Sequence, residues 1–293
     1  LKWKNNEKQF SFIISTSVFM KQFVSICFLV LAIITAKAAT VDTINVYSAA
    51  MHKNIRCVVI KPKNYYTYPN YYPVVYLLHG WSGNYAQWIK LAPQLKNAVE
   101  EFPMLIVCPD AGYDSWYFDS PVDTSVKYET FVAKELTLYV DQKYKTMADR
   151  SKRAITGLSM GGHGALYLAI KHPDIFGAAG SMSGGLDLRP FPDKWGISKD
   201  LGEETDHAEN WAQNSVVNLV EKLRNDQVWI QFDCGTSDFF IDVNRATHKK
   251  LLELKINHDY TERPGEHNDD YWRSAVDVQL FNFRKFFERK APS

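Results

Sequence analysis

Apolar and polar positions along this chain follow two different periods. Residues 43–48 and 55–60 read as two strands joined by a turn, which would pair as an antiparallel edge of a sheet. Residues 73–78 and 104–108 are instead continuous apolar runs, as expected of parallel strands buried on both faces. Between them, residues 86–101 place Trp88, Leu91, Leu95 and Val99 on one face of a predicted helix. Residues 128–144 repeat with helical period through Phe131, Leu136, Leu138 and Val140. A short strand at Ala154-Ile155, a helix over 165–170 ended by His172-Pro173, and a strand and turn over 177–185 follow. Then come a strand over 228–235, a helix over 239–254, a strand over 259–262 and a terminal helix over 271–289. Strands alternating with helices predict an α/β fold with a mostly parallel sheet covered on both faces. Residues 186–212 hold Trp195 and Trp211 but no clean period, and are expected to form a small insertion over the site.

The N-terminus has a different pattern. Met20-Lys21 opens a basic start, residues 23–34 are apolar, and Ala36-Lys37-Ala38 fits an A-x-A cleavage site. Residues 20–38 therefore read as a secretory signal peptide, and residues 1–19, which contain no methionine, as upstream non-native sequence. The apolar stretch is short for a bilayer span, so the expectation is a periplasmic or secreted protein with no stable membrane anchor after cleavage. Residues 39–293 are left as a single catalytic domain.

Composition changes the picture in three places. A formal net charge of +1 gives no argument for nucleic acid or an anionic surface. Beyond the leader there are three cysteines, Cys57, Cys108 and Cys234, an odd number set in apolar or strand-like surroundings, which reads as buried thiols. Tyr65, Tyr66, Tyr68, Tyr71 and Tyr72 crowd one loop after Lys61-Pro62. That loop is either a sticky surface for a sugar chain or one that packs its rings on the sheet edge.

The chemistry centres on Gly157-Leu158-Ser159-Met160-Gly161, a G-x-S-x-G between a strand and a helix. So sharp a turn lifts the serine hydroxyl off the sheet, and it needs small flanking residues to avoid collision. An activated serine requires a base and a group that orients the base, in chain order Ser, acid, His. His267 lies in a loop directly after the last strand, whereas His163 and His248 fall inside predicted helices. For the acid, Asp238 stands just past a strand end; Asp233 within the strand and Asp242 within a helix are the alternatives. Two backbone amides must hold the oxyanion, and the positions suit Met160 and Trp81. His79 is expected to be a structural hydrogen-bonding residue.

Four stretches together resemble the esterase D / feruloyl esterase family of α/β-hydrolases. They are Tyr76-Leu77-Leu78-His79-Gly80, Gly157-Leu158-Ser159-Met160-Gly161-Gly162, Cys234-Gly235-Thr236-Ser237-Asp238, and Gly265-Glu266-His267 followed by Tyr271-Trp272. The family also holds S-formylglutathione hydrolases, mycolyltransferase antigens and carbohydrate esterase family 1. The resemblance implies the α/β-hydrolase fold, a Ser159–Asp238–His267 triad, and an oxyanion hole at Trp81 and Met160. Glu266 departs from the family pattern, which often has glycine before the histidine. No cofactor and no metal is expected. The substrate is expected to be a small-molecule or polysaccharide-linked ester, feruloyl or acetyl, met by Trp116, Tyr117, Trp195 and Trp272. A short-chain esterase or an acyltransferase of the same fold is the alternative. The sequence says nothing of oligomeric state.

Overall fold

Five consecutive buried side chains make Val74–Leu78 (β3) a central strand. In the computed structural model, which describes residues 39–67 and 69–289, β3 lies between two parallel neighbours, Leu105–Pro109 (β4) and Arg153–Gly157 (β5). Thr40–Ser48 (β1) and Lys53–Lys61 (β2) pair antiparallel with each other, and β2 pairs antiparallel with β4. Ala178–Met182 (β6), Trp229–Gly235 (β7) and His258–Arg263 (β8) extend the parallel part, giving the order β1-β2-β4-β3-β5-β6-β7-β8. The predicted signal peptide and Tyr68 lie outside the described residues. No helix among the described residues is long and apolar enough to cross a membrane.

Successive side chains of β3 enter opposite apolar layers, as the period of two requires. Val75 and Leu77 join Trp88, Leu95, Trp272 and Phe283 on one face, while Val74, Tyr76 and Leu78 join Leu166, Tyr167 and Phe131 on the other. The first layer is roofed by Gln87–Leu91 (α1), Leu95–Glu101 (α2) and the C-terminal helix Asp269–Glu288. The second is roofed by Met160–Lys171 and Ile241–Glu253.

Two predicted helices take a different course. The helix expected over 86–101 is broken into α1 and α2 at Ala92, whose φ of −128° and ψ of 70° leave the helical region. Pro93 is the cause: its ring disfavours a helical residue before it. All four apolar side chains of the pattern are nevertheless buried. The segment over 128–143 is helical throughout, but its middle, Phe131–Leu136, is wound as a π-helix. The stretch without period is ordered as Ile197–Leu201 and Glu204–Asn214, separated by Gly202 in the left-handed region at φ 80°.

Candidate active site

Ser159 sits between the end of β5 and the helix Met160–Lys171, with φ 55° and ψ −117°. That is a strained conformation for a residue with a side chain, and it is held from both sides. The Ser159 amide donates to the Met182 carbonyl at 2.9 Å, and its carbonyl accepts from the His163 amide at 3.0 Å. The turn exists because Gly161 is bare: a Cβ there would stand 2.5 Å from the His79 carbonyl oxygen and 2.6 Å from that of Leu78.

The chain brings an imidazole and a carboxylate to this serine from two later strand ends. His267 follows β8, and its Nε2 lies 2.9 Å from Ser159 Oγ. Its Nδ1 lies 2.8 and 3.0 Å from the two carboxylate oxygens of Asp238, which follows β7. The serine hydroxyl can donate to Nε2 while Nδ1–H donates to the carboxylate. Asp238 is buried, and its Oδ1 also accepts from the Phe240 amide at 2.8 Å, so it caps its own turn while it orients the imidazole. The imidazole is packed among rings, with Phe239, Trp272 and Phe240 at centroid distances of 4.2, 4.8 and 5.3 Å.

The other histidine near the site is committed elsewhere. His79 Nδ1 donates to the Gly80 carbonyl at 2.8 Å and Nε2 accepts from the Ala111 amide at 2.9 Å. Both nitrogens are used, burial depresses its pKa, and the neutral ring braces the loop that carries Trp81. Gln87 braces the same loop, its Oε1 accepting from the Gly80 amide at 2.9 Å. The amides of Trp81 and Met160 donate to no acceptor among the described residues, the condition an oxyanion hole must meet.

A cleft of about 280 Å³ opens over Ser159 and His267, with Trp81, Trp195, Phe239 and Trp272 in its walls. Trp116 and Tyr117, expected to meet substrate, do not reach it. Both are fully buried, with left-handed φ values of 48° and 65° that turn their rings into the core. They act from behind: Trp116 Nε1 donates to the Trp195 carbonyl at 3.3 Å, and the Tyr117 hydroxyl donates to the His79 carbonyl at 3.0 Å. Phe239 is the wall residue that the sequence reading missed. Its place next to Asp238 is the signal that could have found it.

Asp233, the alternative acid, faces away from the serine. Its carboxylate is buried and accepts from Arg263 at 3.0 Å, from the Tyr271 hydroxyl at 2.8 Å and from Gln279 at 2.8 Å. Gln279 Oε1 accepts in turn from the Thr156 hydroxyl at 3.0 Å. One buried network thus joins β5, β7 and both flanks of the His267 loop. Burial pushes the Asp233 carboxyl up, and the Arg263 guanidinium opposes it.

Comparison with known proteins agrees with this architecture. The Esterase family model, described as "Putative esterase", matches residues 48–283. The chain is 31% identical over 251 residues to Esterase Rv1288 of Mycobacterium tuberculosis, covering 75% of this chain and 54% of that protein. It thus spans about half the length of the first curated relatives it matches. It is 27% identical over 217 residues to an acetyl esterase of Caldicellulosiruptor saccharolyticus, covering 69% of this chain and 79% of that one. Among solved structures, a ferulic acid esterase superposes with a TM-score of 0.75 at 29% identity, over 85% of this chain and 99% of its own. The family match runs from the last residue of β1 into the C-terminal helix and encloses Ser159, Asp238 and His267, and the chain belongs to the Esterase family of α/β-hydrolases.

Proposed function

We propose that the protein is a serine carboxylic-ester hydrolase, acting outside the cytoplasm, that removes feruloyl or acetyl groups from polysaccharide. The observation that carries this reading is the unbroken hydrogen-bond chain Ser159 Oγ–His267–Asp238 at the floor of a small aromatic cleft. Ser159 attacks the ester carbonyl as His267 Nε2 takes its proton, and Asp238 holds the imidazole and stabilises its charged form. The Trp81 and Met160 amides receive the negative charge that grows on the carbonyl oxygen. His267 gives the proton to the leaving alcohol, and the acyl group stays on Ser159. Water, activated by the same imidazole, then releases the acid and restores the hydroxyl.

The acyl preference rests on the walls. Trp195 and Phe239 stack at a centroid distance of 5.6 Å with 19° between their planes, and Trp272 stands beside the imidazole. Flat aromatic faces suit a phenolic acyl group. The acetyl esterase and ferulic acid esterase among the similar proteins support the same substrate class.

The test is hydrolysis of methyl ferulate beside 4-nitrophenyl acetate by the wild type and Ser159→Ala. Cleavage of both by the wild type alone is expected. Cleavage of the acetate alone would turn the reading to a short-chain esterase. Equal activity of Ser159→Ala would remove the serine from the mechanism.

A further inference from the structure

The tyrosine-rich loop between β2 and β3 takes no part in the cleft, and the fold divides it into two kinds of ring. Tyr65 and Tyr72 are buried and stack on each other with centroids 5.6 Å apart. Tyr66 and Tyr71 are 74% and 61% exposed. Tyr66 is nevertheless held in place. Its ring meets Tyr65 edge-on at 5.0 Å, and its hydroxyl accepts from the Lys61 ammonium at 3.0 Å. Lys61 is buried, paired with Asp42 at 2.7 Å, and its ammonium lies 4.9 Å from the Tyr66 ring centroid and 5.0 Å from that of Tyr65. Taking an ammonium out of water is costly unless it is fully satisfied. Here the satisfied ammonium fixes an exposed ring in one orientation, which is preorganisation for a ligand rather than for the core.

These two rings border a hollow of about 540 Å³ walled further by Tyr139 and Tyr144. Two carboxylates, Asp42 and Asp141, also line it, the first paired with Lys61 at 2.7 Å and the second with Arg153 at 2.6 Å, and so do Lys143 and Lys145. Gln142 and Lys143 are exposed at the end of the helix over 137–143, and their side chains have no hydrogen-bond partner among the described residues. A pyranose presents an apolar C–H face to an aromatic ring and a rim of hydroxyls to polar side chains, and this wall offers both. So many polar and charged groups distinguish it from the centre of a protein interface, which is depleted in charge.

The hollow and the cleft lie at opposite ends of the central strands. Tyr71 and Tyr72 precede β3 and residues 144–145 precede β5, with the Tyr72 amide donating to the Lys145 carbonyl at 2.8 Å. Gly80 and Ser159 follow the other ends of the same two strands. A five-residue strand spans ~17 Å, so a ligand in the hollow is clear of the reacting ester.

We propose that the hollow between Tyr66, Tyr71, Tyr139 and Tyr144 is a second, non-catalytic binding site for a pyranose chain. It tethers the protein to polysaccharide and raises the local concentration of esters at Ser159. The link to ester cleavage rests on the function proposed above; the binding itself does not.

The experiment is affinity electrophoresis in gels containing de-esterified arabinoxylan, with the wild type, Ser159→Ala, Tyr71→Ala and the double variant Tyr66→Ala/Tyr71→Ala. Wild type and Ser159→Ala should be retarded equally. Each lost ring should weaken retention roughly two- to tenfold, with turnover of 4-nitrophenyl acetate by the tyrosine variants within about twofold of wild type. A wild type that migrates freely overturns the proposal, as does retention that survives both substitutions. A wild-type dimer that the double variant converts to a monomer, read by light scattering, also overturns it, because a second copy would then cover the rings. Tyrosine-dependent retention in a protein that cleaves no ester would leave this site standing and remove the catalytic reading.

Discussion

Tyr271 donates its hydroxyl proton to Asp233 at 2.8 Å, and so ties the helix that follows His267 to the strand that precedes Asp238. Arg263, on the other side of the His267 loop, reaches the same carboxylate oxygen at 3.0 Å. The loop carrying His267 is therefore clamped at both ends by one buried carboxylate that never touches the serine. Asp233→Asn keeps the volume but removes the charge and faces Gln279 with a second donor. We expect kcat to fall about tenfold with KM within about twofold, because the imidazole is displaced while the cleft walls remain. The rate at which a fluorophosphonate labels Ser159 in the folded protein should fall by the same factor. Unchanged labelling with only a lower melting temperature would make Asp233 a stability residue alone.

Gly161→Ala tests the turn beneath Ser159. The new methyl would meet the His79 and Leu78 carbonyl oxygens at 2.5 and 2.6 Å, and neither can yield without moving β3. A loss of about 3 kcal/mol or more is expected in urea unfolding, as for other forced overpacking of a backbone contact.

The fold was legible where pattern and burial coincide. The apolar run of β3 can only be a strand covered on both faces, and the alternation that follows it dictates the parallel sheet. Ser159, Asp238 and His267 could be chosen by chain order and strand ends alone, and the fold brings them within hydrogen-bond reach. The break at Ala92 was harder to see because the apolar period continues across it, even though Pro93 stands in plain view. Trp116 and Tyr117 could not be placed from sequence. Their rings point inward because of two left-handed backbone angles, which nothing about a tryptophan or tyrosine encodes. The Asp233 network was equally hidden, since its partners on the terminal helix are distant in sequence and meet it only through packing.

Trp195 and Phe239 form one slab against the imidazole, with centroids 5.6 Å apart. A phenolic acyl group would lie on this slab, and an acetyl group is too small to use it. Trp195→Ala and Phe239→Ala should each lower kcat/KM for methyl ferulate about tenfold, while changing that for 4-nitrophenyl acetate less than threefold. Parallel losses on both esters would assign the slab to holding His267 rather than to selecting the acyl group.

The insertion behind Trp195 should give the stability of the protein a distinct pH dependence. Asp200, in the helix Ile197–Leu201, is pushed up to about 7 by burial, then by the nearby Asp114 and Asp123 carboxylates. An acid whose folded pKa exceeds its unfolded value holds its proton better in the native state. Its contribution is therefore most favourable at low pH and is lost as the pH rises from about 4, the unfolded value, through about 7. Asp200→Asn removes the charge that the native site resists. The variant should be more stable than the wild type by about 1–2 kcal/mol at pH 8, a gain moderated by the water that still reaches the carboxylate. At pH 4 the two should unfold at nearly the same urea concentration. A gain of equal size at both pH values would mean that the asparagine contributes a new hydrogen bond, and that ionisation of Asp200 does not govern the stability of the insertion.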